Sequence, residues 1–378
     1  MTTVPVPVVL RRGRYQHQAR AYETGSPLPS APGSPRPACS GATVAAMPTS
    51  GALVDPYGRA HTDLRVSVTD RCNLRCVYCM PEEGVPFRPR DEILSFEEIT
   101  RVARVARSLG VSSLRLTGGE PLMRRGLVEL VGQLATVGFD DIALTTNGTA
   151  LAANAAALAR AGLHRVNVSC DSLQPQRFAQ IRRRGELAIV LAAMDAAESA
   201  GLVPLKVNVV VIAGLNDDEV VDFASFAREH GRVVRFIEYM PLGAAGDWDR
   251  GQVVDSAEIV ARINDRWPLE AVEPPGTDPA PAVRYRFRDG GGEIGVVASV
   301  TRPFCGTCNR LRLTADGAVR NCLFSDDEVP VREILRNQGS DEDLALALRR
   351  SAWGKLPGHG INEPGFLQPA RSMSMIGG

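Results

Sequence analysis

The stretch Arg71-Cys-Asn-Leu-Arg-Cys-Val-Tyr-Cys-Met-Pro81 decides the reading of this chain, because it sets Cys72, Cys76 and Cys79 in the spacing C-x3-C-x2-C. Thiolates this close converge on one metal centre, and iron–sulfur clusters are held by such groups. Three ligands leave one iron of a four-iron cluster open, which suits substrate chemistry better than storage. The competing readings are a zinc site and three unrelated buried thiols. Structural zinc usually takes four ligands in two knuckles, and no fourth Cys or His follows nearby. A disulfide framework does not suit a 378-residue chain with no secretory signal. Tyr78 stands just before the third Cys. An aromatic there can lie against a bound adenine, a stacking worth about 1–3 kcal/mol.

C-x3-C-x2-C with that aromatic resembles the radical S-adenosylmethionine (SAM) superfamily. The resemblance implies that the open iron chelates the amino and carboxylate groups of SAM. It also implies that one electron from the reduced cluster cleaves SAM to methionine and a 5′-deoxyadenosyl radical, while the protein positions the cofactor and excludes competing reactions.

Composition narrows the rest. The chain is long enough for two domains, 44% hydrophobic, and carries no formal net charge. A neutral chain gives no global argument for nucleic acid or membrane as partner, so any anion site must be built locally. No apolar run reaches the 18 or so residues of a membrane span. Eight cysteines, six of them in two tight clusters, fit metal ligation in a reducing, cytoplasmic compartment. Cys39 and Cys170 are left without a role. Of 43 basic residues only Lys206 and Lys355 are lysine.

Residues 1–52 are rich in Pro, Ser, Ala and Gly and hold a single acid, Glu23. Such a segment cannot offset its ordering entropy by burial, and it reads as a disordered extension. Its Arg-rich character also resembles a transit peptide, although its prolines oppose the amphipathic helix those need. From Leu64 strands and helices alternate. Strands are expected at 64–69, 113–117, 141–145, 165–170, 204–212 and 233–238. Helices are expected at 95–110, 126–137, 150–161, 185–200, 217–229 and about 256–267, the last covering the sixth strand. The first helix opens on a Ser95–Glu98 capping box. Six βα units predict an α/β fold with a parallel sheet and helices outside. Periodicity leaves an open sheet and a barrel equally allowed, and the radical SAM resemblance implies a partial (β/α)6 barrel over 53–240.

Residues at the carboxyl ends of these strands should face a site. Thr117-Gly-Gly-Glu-Pro121, Thr145-Thr-Asn-Gly148, Ser169-Cys-Asp171 and Glu238-Tyr-Met240 recur at that edge. The glycines let backbone approach a ligand, and Glu120 is a candidate to hold an ammonium. Lys206, in an apolar strand of a chain that otherwise uses Arg, suggests a compact charge for a phosphate, or else a snorkelling side chain. Arg65 and Arg115, flanked by strand residues, need anionic partners if buried.

Beyond about 240 the rhythm changes to short strand-like runs, Tyr285–Arg288 and Ile294–Val297. This part reads as a smaller C-terminal domain over 241–378. It contains Phe304-Cys-Gly-Thr-Cys-Asn-Arg-Leu-Arg-Leu313 and then Asn321-Cys322-Leu323. Cys305, Cys308 and Cys322 form a second triad, which the Asp316-Gly317 hairpin turn would fold together. Zinc and a second iron–sulfur cluster with an open iron are the alternatives. Arg310 and Arg312 share a strand face and suit a phosphate clamp or a solvated face paired to acids.

Together with Thr-Gly-Gly-Glu-Pro-Leu-Met-Arg-Arg (117–125) and the terminal Ile376-Gly-Gly378, these motifs resemble the GTP 3′,8-cyclase family of molybdenum cofactor biosynthesis over about 53–378. The resemblance implies a lyase that turns GTP into 3′,8-cyclo-7,8-dihydro-GTP with two [4Fe–4S] clusters and SAM. Cys72, Cys76 and Cys79 would hold the SAM cluster, with Tyr78, Gly119, Ser169 and Met240 contacting SAM. Cys305, Cys308 and Cys322 would hold the other cluster, whose open iron takes the guanine. Arg65, Arg115, Thr145, Lys206, Arg310, Leu311 and Arg312 match GTP-contacting positions. Catalytic roles fall on Arg310, Arg312 and the Gly377-Gly378 tail, a thread thin enough to enter a crowded cavity. As partners it implies an unidentified reductant and a cyclic pyranopterin monophosphate synthase that takes the product, and it leaves a homodimer open, with no nucleic acid or membrane. A radical SAM enzyme acting on peptides, and a non-enzymatic iron–sulfur or zinc scaffold, are the alternatives.

Overall fold

A computed structural model describes residues 46–243, 248–273 and 279–377. Residues 1–45, with Cys39 and most of the expected N-terminal extension, lie outside the described residues, as does Gly378. Residues 46–378 group as one compact unit.

Among the described residues twelve strands form one sheet. They are β1 Asp63–Ser67, β2 Ser113–Thr117, β3 Asp141–Thr146, β4 Arg165–Ser169, β5 Lys206–Val211 and β6 Val233–Glu238, then β7 Leu269–Val272, β8 Val283–Phe287, β9 Glu293–Val297, β10 Arg310–Leu313, β11 Ala318–Arg320 and β12 Val329–Pro330. Their order is β12-β11-β10-β1-β2-β3-β4-β5-β6-β9-β8-β7. The run from β10 through β9 is parallel throughout, and the outer strands on both sides are antiparallel. The six expected strands are thus present in sequence order. The chain after residue 240 adds a parallel strand to each edge, β9 beside β6 and β10 beside β1.

The helices are α1 Phe96–Ser108, α2 Leu127–Ala135, α3 Leu151–Arg160, α4 Pro175–Arg182, α5 Leu187–Ser199, α6 Val220–His230, α7 Ser256–Arg266, α8 Arg332–Arg336, α9 Asp341–Trp353 and α10 Met373–Ile376. The capping box at α1 is formed: Glu98 N–H donates to Ser95 Oγ at 3.1 Å, and Ser95 N–H to Glu98 Oε2 at 2.6 Å. Helix α7 departs from expectation. It lies against α6 and β9, because β9 continues the parallel run past β6 and supplies the apolar face to be covered.

The central parallel strands are two-faced. Leu64 and Val66, Leu114 and Leu116, Val166 and Val168, Val207 and Val209, and Leu311 and Leu313 all belong to the core under the helices. The residues between them are largely polar. A parallel sheet covered on both faces usually reads as a continuous apolar run. Alternation here means that the second face encloses a polar interior, which positions the site.

Candidate active site

The first triad follows β1. Main chain from the end of β2 packs directly on this loop: Gly119 N–H donates to the Thr69 carbonyl and Glu120 N–H to the Arg71 carbonyl, both at 2.7 Å. A Cβ at Gly119 would lie 2.3 Å from the Arg71 carbonyl oxygen, so only glycine allows the approach. Within the loop, Cys79 N–H bonds the Cys76 carbonyl at 2.9 Å, and Leu74 N–H points at Cys72 Sγ at 3.4 Å. Burial pushes the Cys72 thiol up to about 11 and raises Cys76 and Cys79 as well. These thiols therefore ionise only with a cationic partner such as iron.

Asp171, at the end of β4, organises the far side of the loop. It accepts the Tyr78 hydroxyl at 2.9 Å and Val210 N–H at 3.0 Å, and it pairs with Arg182 at 2.8 Å. Arg182 in turn directs a guanidinium N–H at Cys76 Sγ, 3.5 Å away. This fixes the Tyr78 ring and sets a buried cation beside the Cys76 sulfur. Glu120 is not a free acceptor for an ammonium. Its carboxylate takes N–H groups of Leu122 and Asn147 and the Thr146 hydroxyl, all within 3.0 Å, which ties the ends of β2 and β3 together. Glu238, wholly buried at the end of β6, likewise serves the frame. It accepts Ser256 N–H, Val300 N–H, Thr301 N–H and the Thr301 hydroxyl.

Inside the barrel a cavity partly open to solvent is lined by Arg65, Arg115, Thr145, Asn208, Arg235, Met240, Arg310 and Arg312 together with Cys305, Cys308 and Cys322. Strand register explains the cluster of cations: Arg65 is level with Arg115 on one side and Arg312 on the other. Burial, then Arg312 and Arg115, push the Arg65 guanidinium well below its usual range. Arg312 is lowered to about 10 by burial and Arg310. Buried nitrogens of Arg65, Arg115, Arg165 and Arg310, and buried oxygens of Asn167 and Asn208, have no hydrogen-bond partner. Against these cations stand the carboxylates of Asp63 and Asp141. Such an interior costs several kcal/mol unless an anion enters.

The other residues singled out from sequence fall nearby or elsewhere. Lys206, half-buried on β5, lies outside the cavity lining but senses Arg235, Arg165 and Arg115 behind the dominant effect of burial, which together take it down to about 7. Ser169 ends β4, beside Asn208 of β5. Leu311 points into the apolar core, so any contact from it to the cavity is left to its main chain. The strand alternation that marks Arg65 and Arg115 also marks Arg165, Asn167, Asn208 and Arg235, which the motifs had not flagged.

The second triad borders the cavity. Cys305 and Cys308 precede β10, and the β10–β11 hairpin returns Cys322 beside them. Burial raises Cys308, but Arg310 and Lys355 outweigh it and bring the thiol down to about 6. Phe304 stacks under the Arg310 guanidinium at 4.7 Å. Within each triad the sulfurs sense one another electrostatically. Among the described residues no three His, Cys, Asp or Glu side chains close on a point as a single ion requires. A polynuclear cluster spreads its thiolates over several irons and accepts wider spacing. The carboxyl terminus reaches the same place. Met373 lines the cavity, Ser374 main chain bonds Cys79, and Arg312 donates to the Gly377 carbonyl at 2.6 Å.

Comparison with known proteins places the chain in a family. The Radical SAM superfamily model matches residues 66–227, and the Molybdenum Cofactor Synthesis C model matches 232–361. The solved structure of Streptococcus suis SuiB bound to S-adenosylmethionine shares the fold, with a TM-score of 0.53 at 14% identity, covering 76% of this chain and 68% of that one. Fold and first triad define a radical SAM enzyme, which uses SAM and a [4Fe–4S] cluster. The GTP 3′,8-cyclase of Corynebacterium glutamicum is 48% identical over 336 residues, 86% of this chain and 89% of that protein. That of Streptomyces coelicolor is 48% identical over 328 residues, 86% of this chain and 96% of that protein. The chain belongs to the GTP 3′,8-cyclase family, whose members carry out the first step of molybdenum cofactor biosynthesis. No helix among the described residues is long and apolar enough to cross a membrane.

Proposed function

We propose that the barrel interior receives GTP between two iron–sulfur clusters, one held by Cys72, Cys76 and Cys79 and the second by Cys305, Cys308 and Cys322. The observation that carries this is the set of buried guanidinium nitrogens without a hydrogen-bond partner on Arg65, Arg115 and Arg310, which line the same cavity as the second triad. A triphosphate supplies the missing negative charge, and Arg forks bind its oxygens bidentately.

When bound, the first cluster and SAM supply the one-electron chemistry that begins the reaction, the removal of H3′ from the ribose. The chain's own residues bind and orient. Arg65, Arg115 and Lys206 take the triphosphate, while Arg310 and Arg312 hold the nucleotide at the second triad; Cys305, Cys308 and Cys322 would hold the cluster that anchors the guanine. Tyr78, Gly119, Ser169 and Met240 would contact SAM: Tyr78 belongs to the first loop, Gly119 packs on its main chain, Ser169 ends β4 and Met240 lines the cavity. Arg312 also grips the Gly377 carbonyl, so the tail narrows the space shared by SAM and ribose. The net change forms a bond from C3′ to C8 of the purine. The hydrogen atom lost from C3′ is balanced by an electron and a proton at the purine ring. Holding the reacting carbons together this way can contribute about 7–11 kcal/mol.

Anaerobic reconstitution tests the proposal. About eight irons per chain are expected, from two four-iron clusters, with SAM cleavage stimulated by GTP. Four irons, or cleavage indifferent to GTP, would overturn it. An external one-electron donor, transfer of the product to a cyclic pyranopterin monophosphate synthase and residence in the cytoplasm complete the reading.

A further inference from the structure

Lys355 is one of two lysines among 43 basic residues, and no part of the reaction described above uses it. It follows α9, where its N–H bonds the Ala352 carbonyl. The side chain is 5% exposed. Its ammonium reaches two groups: Cys308 Sγ at 3.2 Å and the Arg310 carbonyl at 2.9 Å. Among the described residues no carboxylate pairs with it. The anions it senses are the sulfurs of Cys308 and Cys322, against the opposing cation of Arg310. A buried ammonium without a carboxylate is costly unless another anion neutralises it. The residue is also clamped. Arg59 donates to the Leu356 carbonyl at 2.7 Å and to the Cys305 carbonyl at 2.6 Å, and its Nε bonds Asp55 at 2.5 Å. One guanidinium thus straps the Lys355 loop to the second triad.

We infer that Lys355 is a positioning residue for the second cluster, donating an N–H···S bond to its ligand Cys308 and acting as the cluster's counter-charge. The inference rests on the reading of Cys305, Cys308 and Cys322 as cluster ligands. Hydrogen bonds to ligand sulfur and local charge set cluster potentials. A cation here stabilises the reduced, more negative form and raises the potential of the second cluster; the cation at the first triad, Arg182, is paired with Asp171, whereas Lys355 has no carboxylate among the described residues. Lysine suits the place because a compact ammonium with three donors can serve a sulfur and a carbonyl at once, whereas the planar fork of Arg cannot turn to both. The second contact gives Lys355 a further effect. By holding the Arg310 carbonyl it fixes the start of β10, and with it the face that carries Arg310 and Arg312.

The test uses the full chain, reconstituted anaerobically, as wild type and as Lys355→Met, Lys355→Gln and Lys355→Arg. Iron content and the number of paramagnetic signals are read first. A wild type with four irons and one signal would fail the two-cluster reading itself, before Lys355 is addressed. With two clusters present, signals are assigned by their response to SAM or to GTP, and potentials are read by redox titration. The second cluster should shift to a more negative potential in Lys355→Met and Lys355→Gln, less so in Lys355→Arg, while the first stays in place. Wild type should also show an exchangeable-proton coupling on the second cluster that Lys355→Met lacks. Unchanged potentials and an unchanged coupling in all three variants would overturn the inference, leaving Lys355 a packing residue.

Discussion

The lysine on β5 makes a measurable claim about protons. Burial, followed by Arg235, Arg165 and Arg115, holds Lys206 at about 7. At pH 8 about one in ten of its amines is then charged. A triphosphate beside it reverses the electrostatic sign and restores the ammonium, so binding takes up about 0.9 proton per GTP at pH 8. That protonation costs about 1.4 kcal/mol at pH 8, so affinity should fall about tenfold per pH unit above 7. The ligand-free protein follows the same sign. The folded value lies below the ordinary lysine value of 10.5. The unfolded chain therefore binds the extra proton between about pH 7 and 10.5, and stability rises with pH through that window. Titration calorimetry at pH 8 in phosphate and in Tris, which differ in ionisation enthalpy, reads the proton directly. Lys206→Met should remove the difference between buffers and weaken binding. Equal heats in both buffers for the wild type would refute the reasoning.

Four other outcomes follow from the geometry. Arg115→Met removes a charge-assisted contact worth about 1.5–3 kcal/mol, so GTP affinity should drop about 10–150-fold. Because the same change relieves repulsion in the empty interior, the ligand-free melting temperature should rise, and a fall would count against the unpaired reading. Gly119→Ala drives a Cβ into the Arg71 carbonyl and should cost about 1–3 kcal/mol in denaturant melts, with iron lost from the first site. Glu238→Gln presents an amide to backbone donors and should destabilise by about 1–3 kcal/mol or more in the same melts. Cys322→Ala should leave about four irons per chain and retain SAM cleavage at a basal rate, read by iron assay and product chromatography.

Six strands of the barrel are legible in the sequence because each is a run of alternating or apolar residues between glycine-rich turns, and period is a local property. Pairing is not. Nothing in Arg310-Leu-Arg-Leu313 says that it will lie parallel to Asp63-Leu-Arg-Val66, and that choice brings the second triad to the barrel. Helix α4 was missed because its sequence, Pro175–Arg182, carries a weak apolar stripe, and Arg182 was missed with it. Asn167, Asn208 and Arg235 were open to detection, since each is a polar residue between buried valines or their equivalents, and Arg165 shares the face of Asn167 two residues earlier. The signal was the one applied to Arg65 and Arg115, left unextended to the neighbouring strands. Glu120 shows the opposite error: a carboxylate at the site edge invites a ligand, and only coordinates reveal that protein donors already occupy it.

Parallel pairing of β1 with β10 has a metric consequence. The first cysteine loop leaves the carboxyl end of β1, whereas Cys305 and Cys308 sit just ahead of the amino end of β10. Two neighbouring rails running the same way therefore carry the two sulfur nests at opposite tips. Five residues at about 3.3 Å each make the rail roughly 16 Å long. Loops can drift over evolutionary time without altering that gauge. Only a change in strand length or register could reset the distance between them, and a one-residue slip would turn every inward side chain outward.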